Sequence, residues 1–346
     1  MIRRHALGAF ALGTFVRVSV AVLAGFALPV QAQSVADFYK GKTLDLYVGS
    51  DPGGEYDLLT RLTARHFGRL IPGAPNVVVH NMPGGGGIKM AIYLYNVPAK
   101  DGASMGVILN NLPGLQATHD PNVPIDLTKM FWIGSISPAA ETMTVFKTAG
   151  VSTWEEVKTK EVIAGATGRS SITYIYPTMM NAFLGTKFKV VAGYTSGNAI
   201  NLAMEKEEVQ ARNNTWSSWK ATKPDWLRDG TIKVLVQEGP KSADLNVPTL
   251  SDLTANDDDK QVIKLITSGA YLGRPFATTP GVPADRVKAL RAAFDAMMTD
   301  KEFLSDADKL KVDVQPVKGE ELQAFVAGLM AFPERLIPKA REFLGE

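Results

Sequence analysis

The segment that most constrains the fold is a strand, a glycine turn and a helix in immediate succession over residues 43–67. The short apolar run 43–48 predicts a strand, and apolar residues recur at helical spacing over 58–67. The turn between them, residues 49–57, directs backbone N–H groups and the positive end of a helix dipole at one place, where an anion can bind. This segment predicts an α/β fold with an anion-binding loop at a sheet edge.

A second glycine turn, residues 83–87, follows the β-branched run 76–81 and precedes helical spacing over 88–96. A third apolar run, 104–109, ends in two asparagines at 110–111. The repeated alternation of strand and helix predicts a mostly parallel sheet with helices on both faces. Ligands bind at the carboxyl ends of strands in such sheets. We therefore expect these loops to form one site for a small anion, such as a carboxylate.

A second α/β unit begins near residue 137 and carries two more turns between a strand and a helix, at 167–171 and 195–198. A length of 346 residues fits two domains better than a single core. We expect lobe 1 to comprise residues 34–136 and 271–346, and lobe 2 to comprise residues 137–270. The ligand cleft is expected between the two lobes.

For several other segments the sequence predicts secondary structure or burial but no part in the site. Residues 153–160 are expected to form a helix, the acidic run 257–259 a solvated loop, and residues 271–277 an extended return to lobe 1. Trp216 and Trp219 either line the cleft or, as we favour, pack in the core of lobe 2.

Residues 1–32 have the features of a secretory signal, with Arg3 and Arg4 at the start, an apolar stretch over 18–30 and a small-x-small cleavage pattern over 30–32. An uncleaved anchor is the alternative, although the apolar stretch is short for a membrane span. Removal of residues 1–32 as a signal would leave 34 basic and 35 acidic residues in the mature chain. That balance gives no reason to expect nucleic acid or an anionic membrane as a partner. We expect export into a bacterial periplasm.

Composition and motifs argue against catalysis. The chain has no cysteine, which excludes thiolate catalysis, disulfides and cysteine metal sites. Its histidines match no metal-ligand spacing, so no metal and no cofactor is expected, and neither G-x-S-x-G nor H-E-x-x-H occurs. A secreted hydrolase that uses Ser170 or Ser196 is the less favoured alternative, because no histidine is close to either serine in sequence.

Three motifs together resemble the periplasmic receptors of tripartite tricarboxylate transporters, the TctC or Bug family. The first is Pro52-Gly53-Gly54-x-x-Asp57, the second is the asparagine- and glycine-containing loop 81–87, and the third is the turn 276–283 before a long helix. The resemblance covers about residues 35–346 in order. Asp51, beside the first motif, is an acidic residue that a carboxylate site does not call for, and its role is left open.

This resemblance implies a two-lobed periplasmic-binding-protein fold, or Venus flytrap, without cofactor or catalysis. It implies a receptor that binds a small organic acid, either a di- or tricarboxylate or an aromatic carboxylate. Two integral membrane transporter subunits would receive the ligand. A sensor subunit on the same scaffold is an alternative that the sequence does not separate from transport. The receptor is expected to be a monomer.

The residues expected to contact the ligand belong to these loops and to the helix starts that follow them. They are Ser50, Pro52, Gly53, Gly54, Tyr56, Asp57, Gly84, Gly85, Gly86, Asn111, Thr167, Arg169, Ser170, Ser171, Tyr194 and Ser196. The glycines would donate backbone N–H groups to the ligand or only form tight turns. Asp57 would bind a donor on the ligand or, as we favour, cap its helix. Arg169 would pair with a second carboxylate or remain a surface arginine.

Overall fold

The structure is a computed structural model that describes residues 33–344 except 51, 54, 139, 170 and 196. The predicted signal segment, residues 1–32, lies outside the described residues and stays a prediction. The strands are β1 Thr43–Val48, β2 Asn76–Asn81, β3 Ser104–Val107, β4 Phe131–Ser135, β5 Glu141–Phe146, β6 Val162–Ala166, β7 Phe188–Ala192, β8 Ala211–Thr215, β9 Ile232–Glu238, β10 Pro275–Thr278 and β11 Val317–Lys318. The helices are α1 Val35–Tyr39, α2 Glu55–Phe67, α3 Ile88–Asn96, α4 Leu112–Ala117, α5 Ile172–Leu184, α6 Gly197–Glu205, α7 Trp216–Thr222, α8 Pro224–Arg228, α9 Leu250–Leu253, α10 Asp257–Ile266, α11 Ser268–Leu272, α12 Ala284–Met297, α13 Lys301–Lys309, α14 Gly319–Leu329 and α15 Ile337–Leu344.

The first sheet has the strand order β11-β4-β10-β3-β1-β2. Strand β1 pairs in parallel with β2 and β3, while β10 runs antiparallel between β3 and β4. Strands β1 to β4 therefore point the same way, as predicted. Their carboxyl ends, at Val48, Asn81, Val107 and Ser135, lie at one edge of the sheet together with the amino end of β10.

Side-chain alternation along β1 separates two apolar cores on the faces of this sheet. Leu44 and Leu46 pack with buried residues of α2, α12 and α13. Tyr47 faces the other way, toward buried residues of α3 and α14. The sheet is thus covered by helices on both faces, which is the reason every residue of its central strands β3 and β10 is buried. We call this sheet and these helices lobe 1.

The second sheet has the strand order β7-β6-β8-β5-β9. Strand β6 pairs in parallel with β7 and β8, and β5 runs antiparallel between β8 and β9. The carboxyl ends of β6 to β9 therefore share an edge with Glu141, the first residue of β5. Helix α5 packs on one face, and α6 packs on the other with the fully buried Trp219. We call this sheet and its helices lobe 2. The burial of Trp219 confirms its predicted core position.

The strands of lobe 1 come from residues 43–135 and 275–318, and those of lobe 2 from residues 141–238. The predicted lobe boundaries divide the strands in the same way, and the boundaries themselves stay a prediction. The C-terminal helix α15, which we expected in lobe 1, packs against α5 and α10.

Three local predictions are wrong. Residues 153–160 form only the single 3-10 turn Glu156–Lys158, which begins at a capping box between Thr153 and Glu156 but does not continue into an α-helix. The acidic run 257–259 is the first turn of α10, where Asn256 caps the helix and negative charge complements its dipole. The segment 271–277 begins with the end of α11 rather than with extended chain.

Candidate functional site

The buried carboxylate of Asp57 joins the two predicted glycine loops of lobe 1. It accepts hydrogen bonds from the Gly53 N–H at 2.8 Å, from Arg61 Nε at 3.0 Å and from Asn81 Nδ2 at 2.7 Å. Asp57 is only 2% exposed. Although burial opposes ionisation, these hydrogen bonds lower the pKa of Asp57 to about 2. The carboxylate is therefore a charged anchor for the loops, and whether it also caps α2 stays a prediction.

Asn81 and two glycines complete the junction between the loops. Asn81 Nδ2 donates to the Ser50 carbonyl at 3.0 Å, and Asn81 Oδ1 accepts from Arg61 Nη2 at 2.8 Å. A Cβ added at Gly49 would lie 2.8 Å from the Gly87 Cα. Only glycine therefore allows the two backbones to approach this closely. The structure brings the first and second loops together, as predicted.

The second loop presents backbone N–H groups that the protein itself does not use. Gly84, Gly85, Gly86 and Gly87 all have positive φ, between 56° and 138°. Gly85 and Gly86 are exposed, and a Cβ on Gly86 would meet nothing within 4 Å. Among the described residues, neither the Gly85 N–H nor the Gly86 N–H has a protein acceptor. These donors precede α3 and are free to bind an anion.

The other lobe 1 residues that we expected to contact the ligand differ in their exposure and hydrogen bonding. The Ser50 hydroxyl is buried and has no hydrogen-bond partner in the described part of the chain. Pro52 and Gly53 are exposed. The Tyr56 hydroxyl accepts the Asn110 N–H at 3.3 Å, and burial raises the pKa of Tyr56. Asn111 is exposed. Gly54 lies outside the described residues, and so does Asp51, the acidic residue beside the first motif.

In lobe 2, the turn 167–171 is held by Thr173. The Thr173 hydroxyl accepts the Thr167 N–H at 3.1 Å and lies 2.6 Å from the Ser171 hydroxyl. Arg169 is exposed, with its guanidinium 5.8 Å from the Tyr174 ring centre. Tyr194 is half-buried and packs beside α6. The serines at 170 and 196 lie outside the described residues.

A cavity of 210 Å³ lies where the loop-bearing edges of the two sheets meet. From lobe 1 it is lined by Tyr56, Asn110 and Arg274, and from lobe 2 by Ile172, Thr173 and four polar residues of β5 and β8. Those four are Glu141, Asn213, Asn214 and Thr215. Sequence reasoning named Tyr56 as a ligand contact and placed residues 110–111 at this sheet edge, but it missed Arg274 and these four. The polar run 212–214, which lies in the buried strand β8, was the available signal.

Arg274 lies at the centre of the cleft. Its guanidinium donates to Glu55 Oε2 at 2.7 Å and to the Gly273 carbonyl at 3.2 Å, and it lies 4.7 Å from the Tyr56 ring centre. Its backbone N–H donates to Ser135 Oγ at 3.1 Å. A second cavity, of 260 Å³, lies against Arg274, with Ser217 and Ser218 of α7 in its wall. The cleft is therefore polar and is lined by both lobes.

Other features of the described chain form no comparable site. A groove of 690 Å³ near Gln116 and Asp126 is wide open and lies in lobe 1 alone. His66, Asp300 and Glu302 come within 4.8 Å of one another, but Arg69 pairs with both carboxylates and supplies their counter-charge. None of the helices over the described residues is both long and apolar enough to span a membrane.

No protein-family model matches the chain, and no curated protein matches it. Solved structures do match it. A TctC solute-binding protein from Polaromonas, solved without ligand, is 21% identical, with a TM-score of 0.66, and the match covers 87% of this chain and 99% of that one. The chain has the same fold as this protein. The predicted two-lobed α/β architecture is confirmed, and the fold agrees with the resemblance seen in the sequence.

Two further TctC-like matches were solved with organic acids. A Rhodopseudomonas palustris protein with adipate is 18% identical, with a TM-score of 0.58, and the match covers 87% of this chain and 97% of that one. MatC from Rhodopseudomonas palustris, with bound malate, is also 18% identical with a TM-score of 0.58, and the match covers 86% of this chain and 99% of that one.

Proposed function

We propose that this chain is an extracytoplasmic receptor of the TctC or Bug type that binds a small organic carboxylate in the cleft between its lobes. The observation that carries the proposal is the pair of free N–H groups at Gly85 and Gly86. They belong to a loop that Asp57 and Asn81 fix against the first loop. Donors held in place in this way bind an anion without a large loss of conformational freedom.

The electrostatics of the loops favour an anion over a cation. Among the described carboxylates of the first loop and its helix start, Asp57 is buried and accepts from Gly53, Arg61 and Asn81, while Glu55 is paired with Arg274. The N-terminal end of α3 follows the free N–H groups directly and adds the positive end of its dipole. The proteins of similar fold that were solved with adipate and malate hold dicarboxylates, which supports the same ligand class here.

Delivery and location belong to the same proposal. The receptor would be exported by its N-terminal signal, act as a monomer in the periplasm and pass its ligand unchanged to two integral membrane subunits. It would need no cofactor and carry out no reaction.

Thermal unfolding in the presence of single compounds tests the proposal. The panel contains mono-, di- and tricarboxylates, aromatic carboxylates, and neutral amides of the same acids as controls. A ligand that binds only the folded state raises the unfolding temperature by mass action. We expect one chemical class of acids to stabilise the protein and its amides to have no effect. Stabilisation by no acid, or equally by the amides, would contradict the carboxylate assignment.

A further inference from the structure

Four buried polar atoms around the 210 Å³ cavity have no hydrogen-bond partner among the described residues. They are Glu141 Oε2, Asn213 Oδ1, Asn214 Nδ2 and Arg274 Nε. An unpaired buried polar atom costs about 1–3 kcal/mol, so four at one cavity indicate a missing partner. A single water needs only about 15 Å³. The cavity is large enough for the end of a small organic molecule.

The orientation of both asparagine amides is fixed by their neighbours. Asn213 Nδ2 donates to the Thr142 carbonyl at 3.3 Å, which leaves Asn213 Oδ1 as a free acceptor. Asn214 Oδ1 accepts from Arg212 Nη2 at 3.1 Å, which leaves Asn214 Nδ2 as a free donor. Reversing either amide would place like groups together. The cavity therefore offers two acceptors, from Glu141 and Asn213, and two donors, from Asn214 and Arg274.

This set of atoms fits a ligand that carries both a hydrogen-bond donor group and a hydrogen-bond acceptor group. A hydroxyl donates a single hydrogen and would leave one of the two acceptors unpaired, whereas an ammonium group donates three. The Glu141 residue is 9% exposed, and a buried carboxylate is stabilised best by a charged partner. The donors Asn214 Nδ2 and Arg274 Nε suit the carboxylate of the same ligand.

We propose that this cavity binds the ammonium group of an amino-substituted carboxylic acid, with Glu141 and Asn213 as its acceptors. The proposal rests on the receptor function proposed above and specifies its ligand class. The glycine loops remain the site for a carboxylate of the ligand. Glu141 and its neighbours select acids that carry an amino group.

The guanidinium groups of Arg274 and Arg212 favour the charged form of Glu141, but neither donates a hydrogen bond to the Glu141 carboxylate within the described chain. Arg274 is already paired with Glu55, and Arg212 is engaged by the Gly197 carbonyl and by Asn201 and Asn214. Tyr176 and Glu238 lie on the same side of β5 and provide no positive charge. Burial raises the pKa of Glu141 to about 7. A bound ammonium would offset that cost of burial.

Matched trios of acids test this proposal by calorimetric titration of the protein. One trio is succinate, malate and aspartate, another is glutarate, 2-hydroxyglutarate and glutamate, and a third is 3-phenylpropionate, phenyllactate and phenylalanine. We expect the amino acid of the best-bound trio to bind at least about tenfold more tightly than its unsubstituted and hydroxylated partners. Equal or weaker binding of the amino acid would overturn the proposal. Failure of every acid to bind would overturn the receptor function itself.

The variant Glu141→Gln separates recognition from folding. It keeps the size of the side chain and removes the charge, so we expect the tenfold preference for the amino acid to disappear. The control is Glu238→Gln, a second buried glutamate on the same sheet edge, which accepts from the Ser251 N–H and does not line the cavity. It should keep the preference. Preference retained in Glu141→Gln would contradict the assignment, and circular dichroism verifies the fold of both variants.

Discussion

Two buried acidic side chains near the sheet edges, Asp57 in the first turn of α2 and Glu141 at the start of β5, have opposite surroundings. The Asp57 carboxylate accepts three hydrogen bonds from Gly53, Arg61 and Asn81. Glu141 keeps one oxygen without a partner in the described chain. Paired buried carboxylates stabilise a fold, whereas unpaired ones destabilise it and are retained where a ligand compensates. We assign Asp57 to the architecture of the loops and Glu141 to ligand recognition.

Replacing Asp57 with Asn should destabilise the protein by about 2 kcal/mol. The pKa of Asp57 is lowered from 3.8 to about 2, and each pKa unit corresponds to about 1.4 kcal/mol. This stabilisation is present above pH 3.8 and is lost as the pH falls toward 2. Urea unfolding at pH 7 measures the loss. The exposed Asp225, which pairs with Arg228 at the surface, is the control, and Asp225→Asn should change stability by less than about 0.5 kcal/mol. An equal effect of the two substitutions would refute the anchoring role of Asp57.

The stability of the ligand-free protein should depend on pH through Glu141. Its pKa is raised from 4.5 to about 7, so the folded state binds the proton more tightly than the unfolded state does. The contribution is fully present below pH 4.5 and is lost as the pH rises through 7, an effect on the order of 3 kcal/mol. Urea unfolding at pH 5 and pH 8 should show this loss in the parent and not in Glu141→Gln. The same pH dependence in both proteins would show that other groups cause it.

At the scale of elements, the glycine turns determine where an anion can bind. The turn that precedes α3 combines four positive φ values with free N–H groups. It packs on the first loop at Gly49 and Gly87 so closely that no side chain fits between them. The fixed geometry of this turn, more than any charged side chain, provides the proposed carboxylate site.

Replacing Gly85 with Val should abolish binding of carboxylates while the protein remains folded. Gly85 has a φ of +56°, which a β-branched residue adopts only with strain, and the added side chain would cover its free N–H. Calorimetric titration measures the binding. The control is Gly185→Val, at a φ of +69° after the far end of α5, which should show similar strain and unchanged affinity. Binding that survives in Gly85→Val would mean that the second loop does not hold the carboxylate.

Helices, strands and turns could be predicted from the sequence because each depends on residues that are close together in the chain. Glycine turns, β-branched runs and helical spacing identified the loops, and α5 extends over the predicted residues 172–184. The cleft residues could not be predicted in this way. Glu141 meets Asn213 only because β5 pairs antiparallel with β8, and β6, α5, β7 and α6 separate the two strands in sequence. The acidic run 257–259 was wrongly predicted to be a loop, because acidic residues are common in solvated loops and also stabilise the first turn of a helix.

At the scale of the whole molecule, the two sheets direct their loop-bearing edges at a common cleft. Arg274 of lobe 1 and Glu141 of lobe 2 line the same cavity, so a ligand held there contacts both lobes. Lys220 of α7 also reaches Asp313, beyond α13, at 3.4 Å. A receptor that encloses its ligand between lobes is stabilised by that ligand, because the bound state links parts that otherwise move independently.

The measurement that tests the central claim most directly is calorimetric titration of the protein with each stabilising acid, followed by mass spectrometry of the recovered compound. The account predicts one molecule of acid bound per protein chain, recovered chemically unchanged after prolonged incubation. Conversion of the compound would contradict the receptor function and favour an enzyme. The absence of binding by any carboxylate would contradict the ligand class.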